Sequence, residues 1–496
     1  MIGPSVSRRA RWIAAGLIAL LAGVALGGYE YERHRTGSIY HPHARFIAQP
    51  TPTLPAAHGP ARYDWPLYGY SAEHTRFFPA PARVRPPFRI LWVRTGHSLL
   101  EFPPSLAGDH IFQLADDGVL SAINIHTGHS FWQRRIGTLS ASTPAVVGNV
   151  VYATVLARAD GVRKGEVLAL SYATGHVLWS RALPSPSESS PLVSGGRVYI
   201  GSQNGTVYAL NAHDGNVIWV YHAAGAVKAS PTLAGGVIYV GDYSGHVQAI
   251  SAATGHRIWD SGSEGALFGS GTFYSTAAVM YGRVFLGNTD GRVYAYDAST
   301  GRLDWAVQTG AYVYASPAVT SAPGLGPTIY IGSYNGTFYA INARTGAIDW
   351  QFHPGGRISG SATIVGRIVY FADLGTHRTT GLGISTGRVV FSKDAGSFDP
   401  VISDDHYLYL TGSTGLYALA PLSLTPPAPA HAATRPAGRV AQPARATPTP
   451  RTPRRGPARA PAKSARTRAP RRRSARSRTS IHRAPPTRTH RARDPR

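Results

Sequence analysis

The sequence contains no cysteine, which excludes disulfides, thiolate-bound zinc, iron–sulfur clusters, covalently attached c-type haem and thiol catalysis. Acidic residues are scarce too: 25 Asp and Glu stand against 50 Lys and Arg in 496 residues, a formal charge of +25. Such an excess suggests polyanions, but charge acts where it sits. Residues 425–496 carry a net +19 and residues 1–87 a net +6, while 88–424 is neutral. The electrostatic argument therefore belongs to the two ends. With 43% hydrophobic residues the chain is not disordered throughout and must bury a sizeable core.

At the N-terminus Arg8, Arg9 and Arg11 precede an apolar run from Trp12 to Tyr29, which ends at Glu30, Glu32 and Arg33. As a helix the run would span about 27 Å, close to a hydrocarbon core. It is apolar on every side, unlike a globular helix with one buried stripe. Residues 12–29 therefore read as a transmembrane signal-anchor, with residues 1–11 its basic cytoplasmic end. The rest is then extracytoplasmic on a single-pass cell-membrane protein. The alternative is a cleaved signal peptide with Ala25 and Gly27 before the cut, which would give a secreted protein. Residues 30–62, rich in Pro, His and Ala without periodicity, read as a tether with little expected order. Residues 425–496, almost all Pro, Ala, Arg, Thr and Ser, read as a disordered basic tail. The tail suits adhesion to anionic polymers or headgroups, or serves only as a solubilising appendage. It has no interleaved aromatics, so nucleic acid binding would be non-specific at most.

Between the ends lies a repeat. Trp92, Trp132, Trp179, Trp219, Trp259, Trp305 and Trp350 are spaced 40 to 47 residues apart, and Phe391 follows 41 later. Four residues before each of the last seven aromatics stands a glycine: Gly128, Gly175, Gly215, Gly255, Gly301, Gly346 and Gly387. Six residues earlier still come Ala122, Ala169, Ala209, Ala249, Ala295 and Ala340, with Gly381 in the last copy. The residues between Ala and Gly close a tight corner in which Gly takes positive φ. Ten residues before most corner glycines another Gly follows Asp or Asn, as in Asn204-Gly205 and Asp290-Gly291, the favoured two-residue hairpin turn. Each unit thus holds four antiparallel strands.

A four-stranded unit of about 40 residues leaves one face bare unless neighbours stack on it, and radial stacking gives a propeller. The recurring aromatics then dock one blade on the next; a row of aromatic sugar subsites is the sharper alternative. Eight aromatic positions predict an all-β, eight-bladed β-propeller over residues 63–424. The last unit lacks an outer strand, and Ile90-Leu91-Trp92-Val93 lacks a preceding corner, so the N-terminal strand is expected to close the ring.

These motifs resemble the pyrroloquinoline-quinone (PQQ) repeat, or quinoprotein alcohol dehydrogenase-like, family of eight-bladed propellers. The leading stretch is also similar, with Asp64-Trp65-Pro66, Tyr68-Gly69, Thr75-Arg76 and Pro79. The resemblance implies the fold; for activity it spans PQQ- and calcium-dependent dehydrogenases, outer-membrane assembly scaffolds and binding propellers. Family dehydrogenases carry adjacent cysteines beside the quinone, which this chain lacks, and no motif here assigns their calcium ligands or base. Residues three before each innermost strand's Pro-like start should face one mouth of the central channel: Glu101, Ala141, Glu188, Lys228, Tyr274, Tyr314, Ser359 and Ser397, with Asp399 and Glu264 in the same class of loop. This mixed ring suits a polar ligand or is a hydrated rim. The histidines sit in turns and tails without metal-ligand spacing. The preferred reading is a non-catalytic binding or scaffold propeller for protein or cell-envelope polymer, monomeric and with no cofactor expected. The alternatives are a PQQ- and calcium-dependent dehydrogenase of alcohols or sugars, and a cell-envelope assembly scaffold.

Overall fold

A computed structural model of the chain describes residues 23, 37–41, 46–47, 64–264 and 271–423. The expected anchor at 12–29 lies almost wholly, and the basic tail at 425–496 wholly, outside the described residues. Among the described residues no helix is long and apolar enough to cross a membrane.

Eight four-stranded antiparallel sheets form the blades of a propeller. In blade 3 the strands are Leu192–Ser194, Arg197–Gly201, Thr206–Asn211 and Val217–His222, running in order from the channel to the outer edge. Register explains the invariant small residue of the repeat. Ala209 lies opposite both Tyr199 and Trp219, so two large rings meet above it with centroids 5.8 Å apart. The same row recurs as Tyr239, Ala249, Trp259 and as Tyr330, Ala340, Trp350. A larger side chain in the middle would push the rings apart.

The corner glycine has an equally local cause. The indole of Trp179 covers Gly215 of the next blade so closely that a Cβ there would come within 2.6 Å of the ring, and the residue holds φ at +71°. The indole N–H then donates to a backbone carbonyl of that neighbouring corner, Ala212 O, at 3.0 Å. All seven tryptophans repeat this bond, from Trp92 on Ile125 O to Trp350 on Ile384 O. Each is worth about 1 kcal/mol beyond the buried area. Phe391 cannot donate and instead meets Phe88 edge-on at 5.6 Å. Each recurring aromatic thus packs on the neighbouring blade.

Blade 8 is built from both ends of the repeat region. Its outer strand, Phe88–Thr95, pairs with Gly415–Pro421, which continues through Leu408–Thr411 to Val401–Ser403. This closes the ring and removes two free sheet edges.

Two further segments attach to the blades. Residues 65–78 thread the channel past the innermost strands. The amides of Leu106, Val146, Leu233, Val279, Val319 and Ile364, equivalent positions in six blades, donate to the carbonyls of Trp65, Pro66, Ala72, Glu73, Thr75 and Arg76 at 2.7–2.9 Å. Inner strands would otherwise present unpaired donors to the channel, and the threading segment satisfies them. The second attachment departs from the expectation of little order in the tether. Ile39–Tyr40 adds a fifth strand to blade 5, pairing Ile39 with Ala306 and Tyr40 with Trp305. Farther on, Phe46 stacks on Tyr281 at 5.3 Å, and Ile47 N donates to Tyr281 O. With this strand in place the outer strand of blade 5, Leu303–Gln308, is largely buried, whereas the uncovered Val217–His222 of blade 3 is mostly exposed or partly exposed.

Candidate functional site

Strand alternation puts the loops entering each innermost strand, and the hairpin turns between second and third strands, on one face of the disk, here the mouth face. Equal offsets in equivalent loops bring Glu101, Glu188, Lys228, Tyr274, Tyr314 and Ser359 around one cavity, with Asp399 and the threading residue Tyr68 also lining it. Ala141 and Ser397 do not line it. Ser397 is instead held by His377 Nδ1 at 3.0 Å and Ser413 Oγ at 2.7 Å. Glu264 is absent from the lining as well, and its charge bears on the buried Tyr296.

The cavity is small and crossed by polar contacts. Lys228 Nζ lies 2.8 Å from Glu188 Oε1, which also accepts from Gln203 Nε2 at 2.6 Å, while Tyr274 donates to Glu188 Oε2 at 3.3 Å. The ammonium sits over the rings of Tyr243 and Tyr274, 5.1 and 6.0 Å from their centroids. The free volume left is about 50 Å³, room for one or two waters. Burial, then the charges of Asp116, Glu188 and Asp399, raise the Glu101 carboxyl to about 7. Burial next to Glu188 holds the Tyr274 hydroxyl above its ordinary value.

Below the rim a second ring joins the blades. Ser190 Oγ accepts from Thr143 N, Ser230 Oγ from Ser190 N, Thr276 Oγ1 from Ser230 N, Ser316 Oγ from Thr276 N, and Ser361 Oγ from Ser316 N, at 2.9–3.1 Å. Asp399 Oδ1 takes the next place, accepting from Ser361 N. Asp399 is therefore a member of the structural ring with an added charge, and Arg76 of the threading segment meets that charge, Nη1 to Oδ2 3.5 Å, both side chains buried. Arg76 also covers the ring of Tyr68 at 4.0 Å. Burial raises the Asp399 carboxyl against the opposing pull of Arg76.

Residues not singled out from the sequence complete the mouth. Asp116, Gln203, Tyr243 and Tyr334 each stand two before a hairpin glycine. That fixed offset is the signal that identifies them, since the hairpin turns share the face of the loops. Tyr312 adds an exposed ring in the loop between blades 5 and 6.

The fit to PQQ follows from this geometry. The quinone is a three-ring tricarboxylate, and small-molecule sites run from about 300 Å³ upward, against about 50 Å³ here. Of the three lining carboxylates, Glu188 is paired with Lys228 and Asp399 with Arg76 and Ser361, which leaves Glu101 alone with oxygens to offer calcium. In this arrangement the free space at the mouth is smaller than the quinone requires. Elsewhere among the described residues, Asp404, Asp405 and His406 converge closely enough for a metal, but Asp404 caps its own turn and Asp405 pairs with Arg83 at 3.0 Å.

A family profile described as outer membrane protein assembly factor BamB matches residues 89–192, 163–393 and 315–423. Among solved structures, BamB from Moraxella catarrhalis is similar at 18% identity, with a TM-score of 0.55 over 67% of this chain and 100% of that one. A europium-containing methanol dehydrogenase aligns at 14% identity and TM-score 0.59, covering 72% of this chain and 98% of that one. The quinohemoprotein alcohol dehydrogenase of Comamonas testosteroni gives 14% identity and TM-score 0.59 over 72% of this chain and 80% of that one. At these identities the structural likeness speaks for the fold alone. No curated protein sequence matches significantly.

Proposed function

The chain belongs to the PQQ-repeat propeller family described as outer membrane protein assembly factor BamB, and from that membership we propose that it is a non-catalytic scaffold that holds a protein partner on its surface. It does so on the extracytoplasmic side of a membrane, anchored by residues 12–29. The observation that carries this reading is the obstructed channel. Residues 65–78 run around the inner strands of six blades and about 50 Å³ remains at the mouth, so recognition falls to the outside of the disk. There the opposite face offers a groove of about 620 Å³ lined by Ser71, Glu73, Tyr239 and Met280 among others, large enough for side chains of a partner. The net +19 of residues 425–496 adds a non-specific hold on anionic envelope polymers.

The test has two arms. Purified full-length protein is incubated with PQQ and calcium, desalted, and assayed by quinone absorbance and dye reduction with alcohols and sugars. No retained quinone and no turnover are expected; stoichiometric quinone with turnover would make the protein a dehydrogenase. In cells, a photo-reactive residue at Ser71 should yield a discrete protein adduct, and a blank there speaks against the scaffold.

A further inference from the structure

Two features already described meet on one sector of the mouth face. The first is the point at which the tether leaves the propeller. Gln308 N donates to Ser38 Oγ at 3.1 Å, and His41 N donates to Asp304 O at 2.8 Å. The outer strand of blade 5 rises toward the mouth face from Leu303 to Gln308, so the antiparallel tether descends it. Followed backwards, the chain departs at the mouth-face end of blade 5. Only residues 30–36 separate Gly37 from Tyr29, the last residue of the apolar run, a reach of at most about 28 Å when fully extended.

The second feature is a chain of tyrosine rings across that same sector. Tyr274 meets Tyr314 at 5.8 Å, Tyr314 meets Tyr334 at 5.0 Å, and Tyr334 meets Tyr312 at 6.4 Å. Tyr312 lies four residues beyond Gln308 and is 52% exposed. The exposed Arg357 holds its guanidinium 5.9 Å over Tyr334. Tyrosine is enriched at membrane–water boundaries because its ring sits among apolar groups while its hydroxyl stays wet, and Arg beside it keeps its charge at the headgroups.

We propose that the blade 5–6 sector of the mouth face, centred on Tyr312, Tyr334 and Arg357, docks on the lipid headgroup layer of the bilayer that anchors the chain. This rests on the reading of residues 12–29 as a retained anchor. The short reach from that anchor selects lipid over a soluble partner, because it keeps the sector beside the bilayer at all times. The opposite face, with its groove of about 620 Å³, then points away from the membrane toward partners.

Because the chain has no cysteine, Tyr312→Cys, Arg357→Cys and His176→Cys each give a unique label in the full-length protein. His176 is exposed on a corner of the opposite face. The labelled proteins are reconstituted into phosphatidylcholine–phosphatidylglycerol vesicles and quenched by headgroup spin-labelled lipid or by aqueous iodide. At positions 312 and 357, lipid quenching severalfold above that at 176, with protection from iodide, is expected. Flotation with the vesicles but equal quenching at all three positions overturns the docking alone. Protection from iodide without lipid quenching also overturns it, in favour of a protein contact. Failure to float overturns the anchor and the docking together.

Discussion

Glu101 is the least partnered of the mouth carboxylates, and its surroundings set the sign of a pH effect. Glu188 has Lys228, Gln203 and Tyr274 within hydrogen-bonding reach, and Asp399 has Arg76. Glu101 faces mainly burial and the negative charges of Asp116, Glu188 and Asp399, which lift it from an ordinary 4.5 to about 7. The folded protein thus holds this proton more tightly than the unfolded chain. Its favourable contribution is complete below about pH 4.5 and is lost as pH rises through about 7. Glu101→Gln should flatten that limb and raise the urea midpoint at pH 8, with solvent screening holding the gain to about 1 kcal/mol. Near pH 4 the variant should match the parent. An unchanged slope between pH 4.5 and 7 would show that the proton is not held at this residue.

Blades 1–7 each repeat a triad of elements: a small residue under two rings, a corner glycine under the neighbour's indole, and the indole donating to that corner. Gly215→Ala puts a methyl within 2.6 Å of the Trp179 ring at φ +71°, which overpacking and backbone strain together should make about 2–4 kcal/mol destabilising. Gly195→Ala is the control: φ is +57° but nothing lies within 4 Å of the added carbon, so only about 1 kcal/mol is expected. Equal shifts in thermal midpoint would assign the corner glycine to backbone freedom rather than to the indole. The triad is legible in the sequence because each copy carries its small residue, corner glycine and aromatic within ten residues in fixed register, although the indole that covers a corner comes from the preceding copy. The mouth is legible for the same reason: Glu101, Glu188, Lys228, Tyr274 and Tyr314 share one offset from the innermost strand. Glu264 escapes that count. Trp259 and Trp305 are 46 residues apart where Trp219 and Trp259 are 40 apart, and Glu264 stands ten residues before Tyr274 and so does not share its offset. The tether strand is not legible, since only two residues pair, Ile39 and Tyr40, and two residues carry no periodicity to read.

At the scale of the whole molecule, the threading segment ties the blades together, and much of that role is hidden from a sequence reading because it runs through backbone carbonyls. It bonds the inner strands of six blades, and Leu67 packs in the core shared by blades 2, 3 and 4. Blade 8 is reached by the Arg76–Asp399 pair and by Trp65 and Phe78 in its core. Its conformation is costly: Tyr70, His74 and Arg76 all hold positive φ, at 74°, 51° and 53°, and burial beside Arg76 lowers the His74 imidazole to about 3. The contacts must outweigh that cost, and the ion pair is where they can be tested. Asp399→Ser restores the hydroxyl that other blades use in the ring but strands the Arg76 guanidinium, and Arg76→Met strands the carboxylate. Either should lose about 3–5 kcal/mol. The double variant removes both charges and should recover most of the loss, giving a coupling energy of about 2 kcal/mol or more in urea unfolding. If the segment is an axle, each single variant lowers the midpoint of one cooperative transition, because loosening it loosens six blades at once. If it is only a plug, the singles will show an early, separate transition as it leaves the channel, and the midpoint of the main unfolding will stay where it was.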